Sequence, residues 1–369
     1  MKVAYLLGSL NRGGAETLLL DVFNQSSNSP FEIIGVYRKE GELANSFRST
    51  KVPLFKIEPR SVWLIRHYLC RLRNLLKSEM VDIVHAQQNL DAVYARVACI
   101  GLSIKVVQTF HGYDFNSGCF SKKLIHLSLL LSGLNIFVSE TQRKYYASGY
   151  NFLKPSRTEV VHNGVCFEKL IVKEGKSIRI KLKIEKKGTL IGMVGNFVSV
   201  RDQITVCRFL NLLNKNGIDF TFLFIGKQDE RNPKLFDECR CFCEYNGLAE
   251  KVLFLGSRDD VPALLSELDA FVYASNYDTF GIAVIEAIAA GIPVFVNEWE
   301  VMKEITADGE RAILYKTKDE NDLFNQFLLF LNDPVSYKKK ALENAAWVRQ
   351  VYSIQNHIDN LYKVYRSLK

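Results

Sequence analysis

Short apolar strands alternate with helices along both halves of this 369-residue chain. Each strand is followed by a polar or glycine-containing loop and then by a helix-forming stretch, and the pattern recurs at intervals of roughly 30 residues. Strands that alternate with helices in this way pair in parallel, with the helices packed on the sheet. The sequence therefore predicts an α/β fold of the doubly wound type in each half of the chain.

The chain is too long for one ordinary core, which predicts two domains. The predicted strands lie at residues 3–7, 32–37, 83–85, 105–108 and 136–138, and then at 190–194, 221–225, 252–255, 270–274 and 294–296. Residues 169–187 are lysine-rich and weakly patterned, which is typical of a domain boundary. We therefore place an N-terminal domain at residues 1–168, a linker at 169–187, a second domain at 188–350 and a final helix at 351–369.

Segment 271–294 combines a strand, a polar loop, a helix and a Gly-Ile-Pro stop. The helix is predicted to begin just after Asp278. Backbone N–H groups at its start, near Phe280, Gly281 and Ile282, can bind an anion or sugar hydroxyls. Glu286 follows on the helix, so both carboxylates can lie beside one polyhydroxylated ligand. The alternative is that Asp278 only caps the helix and Glu286 is solvated.

Three further loops carry residues suited to phosphate or sugar chemistry. Gly13 and Gly14 open a helix after the first strand, where backbone amides can meet a phosphate, although a bare turn explains them almost equally well. The loop is not G-x-G-x-x-G, which disfavours a Rossmann dehydrogenase. His111 ends a strand just before a glycine and can polarise a hydroxyl, unless it is only structural. Arg201 opens a helix in the second half and can bind phosphate through its fork of N–H groups.

Taken in order, these motifs resemble family 4 retaining glycosyltransferases of the GT-B fold. The acid pair Asp278 and Glu286, separated by seven residues and followed by an alanine-rich helix and Gly-Ile-Pro-Val, is similar to the family's E-x7-E pattern. The first acid departs from that pattern, because it is aspartate. Asn196 and Arg201 stand where family members have arginine and lysine. The resemblance implies two Rossmann-like domains that face a cleft, with the last helix returning to the first domain.

The resemblance also implies a role for each matching residue. His111 lies near the transferred sugar, Asp278 faces the sugar and phosphate, and Glu286 faces the ribose. Arg201 carries the phosphate charge, and Asn196 removes one positive charge from the usual clamp. The implied donor-binding set is completed by backbone and loop positions that surround the diphosphate and the base: Gly13, Gly14, Gly226, Arg258, Phe280, Gly281 and Ile282. For Arg258, a solvated charge is an equally good interpretation.

The implied activity is transfer of a hexose or N-acetylhexosamine from a nucleoside-diphosphate sugar to a hydroxyl of a glycan acceptor. UDP is the favoured nucleotide, and a lipid-linked intermediate of capsule or O-antigen assembly is the favoured acceptor. No metal ion or cofactor is expected. The departures at Asn196 and Asp278 keep open an alternative, a nucleotide-sugar-binding protein without transfer activity. An epimerase or phosphorylase of the same architecture fits the motifs less well, and no nucleic-acid recognition motif is present.

The basic charge is concentrated in the first half of the chain. Residues 1–168 hold 20 Lys and Arg against 13 Asp and Glu, a net charge of +7, whereas the remainder holds 28 against 27. Two basic amphipathic helices are predicted, near residues 63–77 and 122–131. Such helices either lie on anionic lipid or pack on a domain with their basic side chains in water. We expect a cytoplasmic protein, with peripheral membrane contact as one option.

The eight cysteines are scattered and no export signal is evident, which favours free thiols. Cys239, Cys241 and Cys243 lack the spacing of a tetrahedral metal site, so a packing role is favoured.

Overall fold

The structure is a computed structural model, and it describes residues 1–58, 65–115, 118–171, 177–184, 188–230 and 232–368. The chain forms two compact units. The first contains Met1–Val165 together with Ile354–Lys369, and the second contains Cys166–Ser353. The first segment of this unit thus ends three residues before the predicted boundary at 168.

Part of the predicted linker packs on the second unit. The N–H group of Ile178 donates to the carboxylate of Glu267 at 2.5 Å, and the Ser177 hydroxyl donates to the same carboxylate at 2.7 Å. The Ile178 side chain is buried. These contacts assign the described residues of segment 169–187 to the second unit.

Seven strands form one parallel sheet in the first unit, within the residues described above. Its strands are β1 (Lys2–Ser9), β2 (Glu32–Lys39), β3 (Leu54–Lys56), β4 (Ile83–Ala86), β5 (Lys105–Phe110), β6 (Leu134–Phe137) and β7 (Thr158–Val160). Its helices before residue 165 are α1 (Gly14–Asn24), α2 (Ala44–Arg48), α3 (Ile65–Ser78), α4 (Asn89–Ala98), α5 (Cys119–Leu131) and α6 (Glu140–Gly149). The strand order is β3-β2-β1-β4-β5-β6-β7, so the winding direction reverses between β1 and β4.

The second unit repeats this architecture with a six-stranded parallel sheet in its described part. Its strands are β8 (Thr189–Val194), β9 (Phe220–Ile225), β10 (Val252–Phe254), β11 (Ala270–Tyr273), β12 (Val294–Asn297) and β13 (Ile313–Tyr315). Its helices are α7 (Ile178–Lys181), α8 (Gln203–Lys215), α9 (Lys234–Tyr245), α10 (Val261–Glu267), α11 (Ile282–Ala289), α12 (Glu300–Ile305), α13 (Glu320–Asn332) and α14 (Pro334–Val351). The order β10-β9-β8-β11-β12-β13 reverses between β8 and β11. The predicted pair of doubly wound sheets is confirmed.

Burial and capping explain why these segments adopt their structures. The central strands are buried along their length, which fits their nearly continuous apolar sequences, because a parallel sheet is covered on both faces. Several helices begin at a polar cap. Ser139 accepts a hydrogen bond from the N–H of Gln142 at the start of α6, and Asp319 accepts two at the start of α13. In α9, Cys239 and Cys243 are buried in the core whereas Cys241 is exposed.

The last helix, α15 (Ile354–Arg366), belongs to the core of the first unit. The N–H of Ile354 donates to the carbonyl of Val165 at 3.0 Å, where the chain re-enters this unit. Farther along, the buried hydroxyl of Tyr365 lies 2.6 Å from Nδ1 of His85 and 3.0 Å from the hydroxyl of Tyr5. The predicted return of the last helix to the first domain is therefore confirmed.

Candidate active site

The loops that follow β8 and β11 meet at the reversal point of the second sheet. The N–H of Asn276 donates to the carbonyl of Val200 at 2.9 Å, and the N–H of Asp202 donates to the carbonyl of Ala274 at 3.2 Å. Ligands of open α/β sheets bind beyond the carboxyl ends of the strands at such a point. Both loops carry residues that the sequence assigns to donor binding.

Arg201 and Asp278, from these two loops, form an ion pair. Nη1 of Arg201 donates to Oδ2 of Asp278 at 2.8 Å, and the Tyr273 hydroxyl donates to the same oxygen at 2.5 Å. The guanidinium of Arg201 also lies 5.0 Å from the centre of the Tyr273 ring. Because the two charged side chains are only 18% and 13% exposed, little water competes with this arrangement. The two predicted ligands of the donor are thus brought together, and each is the partner of the other.

Gly281 introduces α11 in a conformation that other residues rarely adopt. Its φ angle is +87°, and a Cβ atom placed on it would lie 3.0 Å from Cε of Met302. The first N–H groups of α11 have no partner within the helix, so they provide a site for negative charge or hydroxyl oxygens. The Phe280 ring is buried against Tyr352, which leaves only the backbone of Phe280 to face a ligand. Glu286 is half-buried on the next turn of α11.

Asn196 joins two loops at the same end of the sheet. Its Oδ1 accepts from the N–H of Lys227 at 3.0 Å, and its carbonyl accepts from Nε2 of Gln203 at 3.1 Å. The loops approach so closely that a Cβ on Gly226 would lie 2.2 Å from the carbonyl oxygen of Gly195. Asn196 therefore holds the loop after β9 in place. The family pattern has a cation at the position of Asn196.

Arg258 pairs with a neighbour. Its Nε and Nη2 donate to the two carboxylate oxygens of Asp260 at 2.8 and 2.7 Å. This bidentate contact occupies the edge of the guanidinium that best fits a phosphate. Arg258 could bind a nucleotide directly only if its ion pair with Asp260 broke.

In the first unit, Gly13 and Gly14 lie at the N-terminus of α1. A Cβ on Gly13 would lie 2.4 Å from Oε2 of Glu16, which is the end of a flexible side chain that can move aside, so the protein itself does not require glycine at this position. A Cβ on Gly14 would meet nothing within 4 Å. Gly14 is also exposed, so protein packing does not explain its glycine.

His111 follows β5 and is half-buried in the same unit. Its Nε2 lies 2.8 Å from Oε1 of Gln87, the residue after β4. Burial, together with the nearby ring of His357, lowers the pKa of His111 to about 4. The imidazole is therefore neutral at pH 7. It can polarise a hydroxyl, as predicted, without introducing a positive charge.

Two residues of these sites, Gln87 and Tyr273, were not singled out from the sequence. A signal existed for Gln87, because it directly follows a strand beside the reversal point of the first sheet. For Tyr273 there was none, since an aromatic residue inside a buried strand normally indicates only core packing. Within the described part of the chain, no group of three His, Cys, Asp or Glu side chains is arranged to hold a metal ion.

The two basic helices differ in whether their apolar side chains are buried. In α3, Tyr68, Leu72 and Leu76 are buried in the core, and Arg73 donates to the carbonyl of Ala98 at the end of α4. This helix is therefore a packed surface helix. The first predicted residues of its segment, 63 and 64, lie outside the described residues.

Helix α5 leaves apolar residues exposed. Phe120, Leu127 and Leu130 are 81%, 41% and 46% exposed, beside the exposed Lys122 and Lys123. Among the described residues, none of the helices is long and apolar enough to span a bilayer.

Comparison with known proteins identifies the family of this chain. Residues 12–169 match the model of glycosyltransferase family 4, and residues 175–347 match that of glycosyl transferases group 1. An Escherichia coli UDP-Gal:alpha-D-GlcNAc-diphosphoundecaprenol alpha-1,3-galactosyltransferase is 24% identical over 91% of this chain and 86% of its own length. The E. coli O-antigen biosynthesis glycosyltransferase WclY is 22% identical over 92% and 89%.

Solved structures agree in fold. Anabaena HepE, crystallised in complex with UDP, superposes with a TM-score of 0.86 at 18% identity over the full length of both chains. A glycosyltransferase from Rickettsia africae also gives 0.86, at 17% identity over 100% of this chain and 98% of its own. With two family models that together match most of its length, and with the fold described above, the chain belongs to the family 4 (group 1) glycosyltransferases of the GT-B fold.

Proposed function

We propose that this glycosyltransferase moves a hexose or an N-acetylhexosamine from a UDP sugar, with retention of configuration, to a hydroxyl group of a lipid-linked glycan. The observation that carries the donor assignment is the meeting of Arg201 and the N-terminus of α11 at the reversal point of the second sheet. A cation and free N–H groups at one place are suited to a diphosphate. The UDP complex of HepE and the UDP-Gal donor of the E. coli relative favour uridine.

In the proposed reaction, the bond between the anomeric carbon and the diphosphate oxygen breaks while the acceptor oxygen bonds to that carbon from the same face. The acceptor proton passes to the leaving diphosphate. The growing negative charge is offset by Arg201, by the first N–H groups of α11 and by the amide of Gly14. Because these groups supply the charge compensation, the proposal includes no metal ion. His111 is proposed to contact the sugar as a neutral hydrogen-bonding group.

The acceptor assignment rests on the surface of the first unit. Helix α5 exposes Phe120, Leu127 and Leu130 next to two lysines, and residues 1–168 carry a net charge of +7. Exposed apolar side chains beside cations are suited to an anionic lipid surface. The E. coli relative is named for its action on a diphosphoundecaprenol-linked sugar. We therefore propose work at the cytoplasmic face of a membrane, on an intermediate of surface polysaccharide assembly.

A thermal-shift screen of the purified protein against UDP, GDP, ADP, CMP and their common sugar conjugates tests the donor. The expected result is a stabilisation by UDP and one UDP sugar that weakens in Arg201→Ala and in Glu286→Ala. Arg240→Ala, which removes an exposed arginine of α9 in the same unit, is the matched control and should leave the stabilisation unchanged. Stabilisation only by another nucleotide would overturn the uridine assignment.

Release of UDP in the presence of membrane extract then tests transfer. Binding of a UDP sugar without any product would instead support the alternative of a binding protein without transfer activity.

A further inference from the structure

A small cavity lies behind His111 in the first unit. It encloses about 10 Å³ and is lined in part by His85, Gln87, His111, Asn163 and His357. This volume is close to what one enclosed water molecule requires. Residues at the ends of strands and residues of α15 both line the cavity. His111 and the C-terminal helix therefore border the same cavity.

Gln87 determines where the proton of His111 lies. The amide oxygen Oε1 of Gln87 can only accept, and it is 2.8 Å from Nε2 of His111. Nε2 must therefore carry the proton. Because the imidazole is neutral at pH 7, Nδ1 carries none.

The other end of the Gln87 amide lacks a protein hydrogen-bond partner among the residues described. Nε2 of Gln87 and Oδ1 of Asn163 are both buried, belong to residues that line the same cavity, and within the described chain have no such partner. His357 also lines the cavity, and its Nδ1 donates to the carbonyl of His162 at 2.7 Å. One donor and one acceptor beside a cavity of this size are what a single water molecule can bridge.

We propose that Gln87 is a positioning residue for His111, and that one water molecule shared by Gln87 and Asn163 holds the Gln87 amide in the orientation that keeps the proton on Nε2 of His111. This inference rests on the proposed function for its catalytic consequence, but not for its geometry.

The tautomer can be read directly by ¹⁵N NMR of histidine-labelled full-length protein at pH 7. The expected wild-type result is a protonated Nε2 for His111, assigned by its loss in His111→Phe. In Gln87→Met, which keeps the length of the side chain without its hydrogen bonds, the Nε2 preference is expected to disappear. Tyr5→Phe is the matched control. It removes a buried hydrogen bond to Tyr365 in the same core, and the His111 signal should remain as in wild type.

Kinetics separate positioning from a general loss of structure. With the UDP sugar selected by the thermal-shift screen, Gln87→Met should lower kcat about tenfold while KM for the donor stays within about twofold. Tyr5→Phe should change neither. Equal losses in both variants would show that Gln87 acts only in packing.

A crystal structure of the wild-type protein tests the water without any substitution. The expected electron density is one peak within hydrogen-bonding distance of Nε2 of Gln87 and Oδ1 of Asn163. An empty cavity, or a wild-type His111 protonated on Nδ1, would overturn the inference. If the tautomer and the water are as expected but His111→Ala retains full turnover, the positioning inference survives and the proposed role of His111 fails.

Discussion

Arg201 and Asp278 lie 77 residues apart in the chain and share a hydrogen bond of 2.8 Å. Neither the pairing nor the loop contacts that create it could be predicted from local sequence, because both depend on the register of two loops after non-consecutive strands. The sequence did predict that both residues belong to the donor site. It did not predict that the carboxylate of Asp278 binds the guanidinium of Arg201.

This pairing leads to an expectation for Asp278→Asn. A donor diphosphate must compete with Asp278 for the guanidinium, so removing the carboxylate charge should strengthen UDP binding by about fivefold, or roughly 1 kcal/mol. Turnover should fall, since the acid that we propose faces the sugar is lost. Isothermal titration calorimetry with UDP measures the first effect, and Arg201→Ala should change affinity in the opposite direction. Identical UDP affinity in wild type and both variants would refute the competition.

Substitutions at two glycines, Gly281 and Gly14, separate effects on stability from effects on ligand binding. Gly281→Ala should lower the free energy of unfolding by about 1–2 kcal/mol, because φ is +87° and Met302 crowds the new Cβ. Gly14→Ala should leave the free energy of unfolding nearly unchanged, since no atom lies within 4 Å of its Cβ. Urea denaturation measures both.

Gly14→Ala is nevertheless expected to weaken binding of the UDP sugar by about tenfold if a phosphate approaches this amide. Unchanged donor binding in this variant would remove Gly14 from the proposed site.

At the scale of elements, α3 and α5 look alike in sequence but face different environments. The buried stripe of α3 shows why a basic amphipathic pattern alone does not indicate a membrane contact. The distinction depends on which face packs on the sheet, and that is set by tertiary structure. Only α5 therefore leads to a prediction about lipid.

Replacing Phe120, Leu127 and Leu130 together by serine should reduce flotation with vesicles rich in phosphatidylglycerol by at least about tenfold. These side chains are already exposed, so the folded state loses little. Leu329→Ser, at an exposed leucine of α13 in the second unit, is the control and should float as the wild type does. Wild-type flotation by the triple variant would exclude α5 as the contact.

The strands show how far sequence patterns determine the fold. All ten predicted strands are present. Nine lie inside the sheets, where parallel strands form continuous apolar runs, and the edge strand β10 also has an apolar sequence. The sequence did not reveal β3, β7 or β13, which are three-residue strands at sheet edges. Partly exposed side chains interrupt their apolar pattern, and their pairing depends on a neighbour that local sequence does not specify.

At the scale of the whole molecule, all six histidines lie in the first unit. Burial lowers the pKa of His85 to about 3, and lowers the pKa values of His111 and His357 to about 4. In the unfolded chain these groups bind protons below about pH 6.5, whereas the folded unit does not. The free energy of unfolding should therefore fall as pH drops from 6.5 to 4, by up to about 1.4 kcal/mol per pH unit for each histidine.

Hydrogen exchange monitored by mass spectrometry, corrected for the intrinsic effect of pH on exchange rates, can show which unit loses stability. Peptides from β1, β4 and β5 should lose protection at a higher pH than those from β8 and β11. Carboxylates occur in both units, so their protonation does not explain why the first unit should lose protection at a higher pH than the second. Simultaneous loss in the two units would contradict the prediction.

The hydroxyl of Tyr365, which reaches both Tyr5 and His85, also has a consequence for the order in which the protein matures during synthesis. A ribosome makes the first unit's sheet before the second unit but delivers α15 after it. The second unit has its entire sequence at Ser353, while the first still lacks the helix that fills its core. The part of the protein that is begun first is therefore completed after the second unit, and until α15 emerges its sheet exposes the apolar surface that this helix covers.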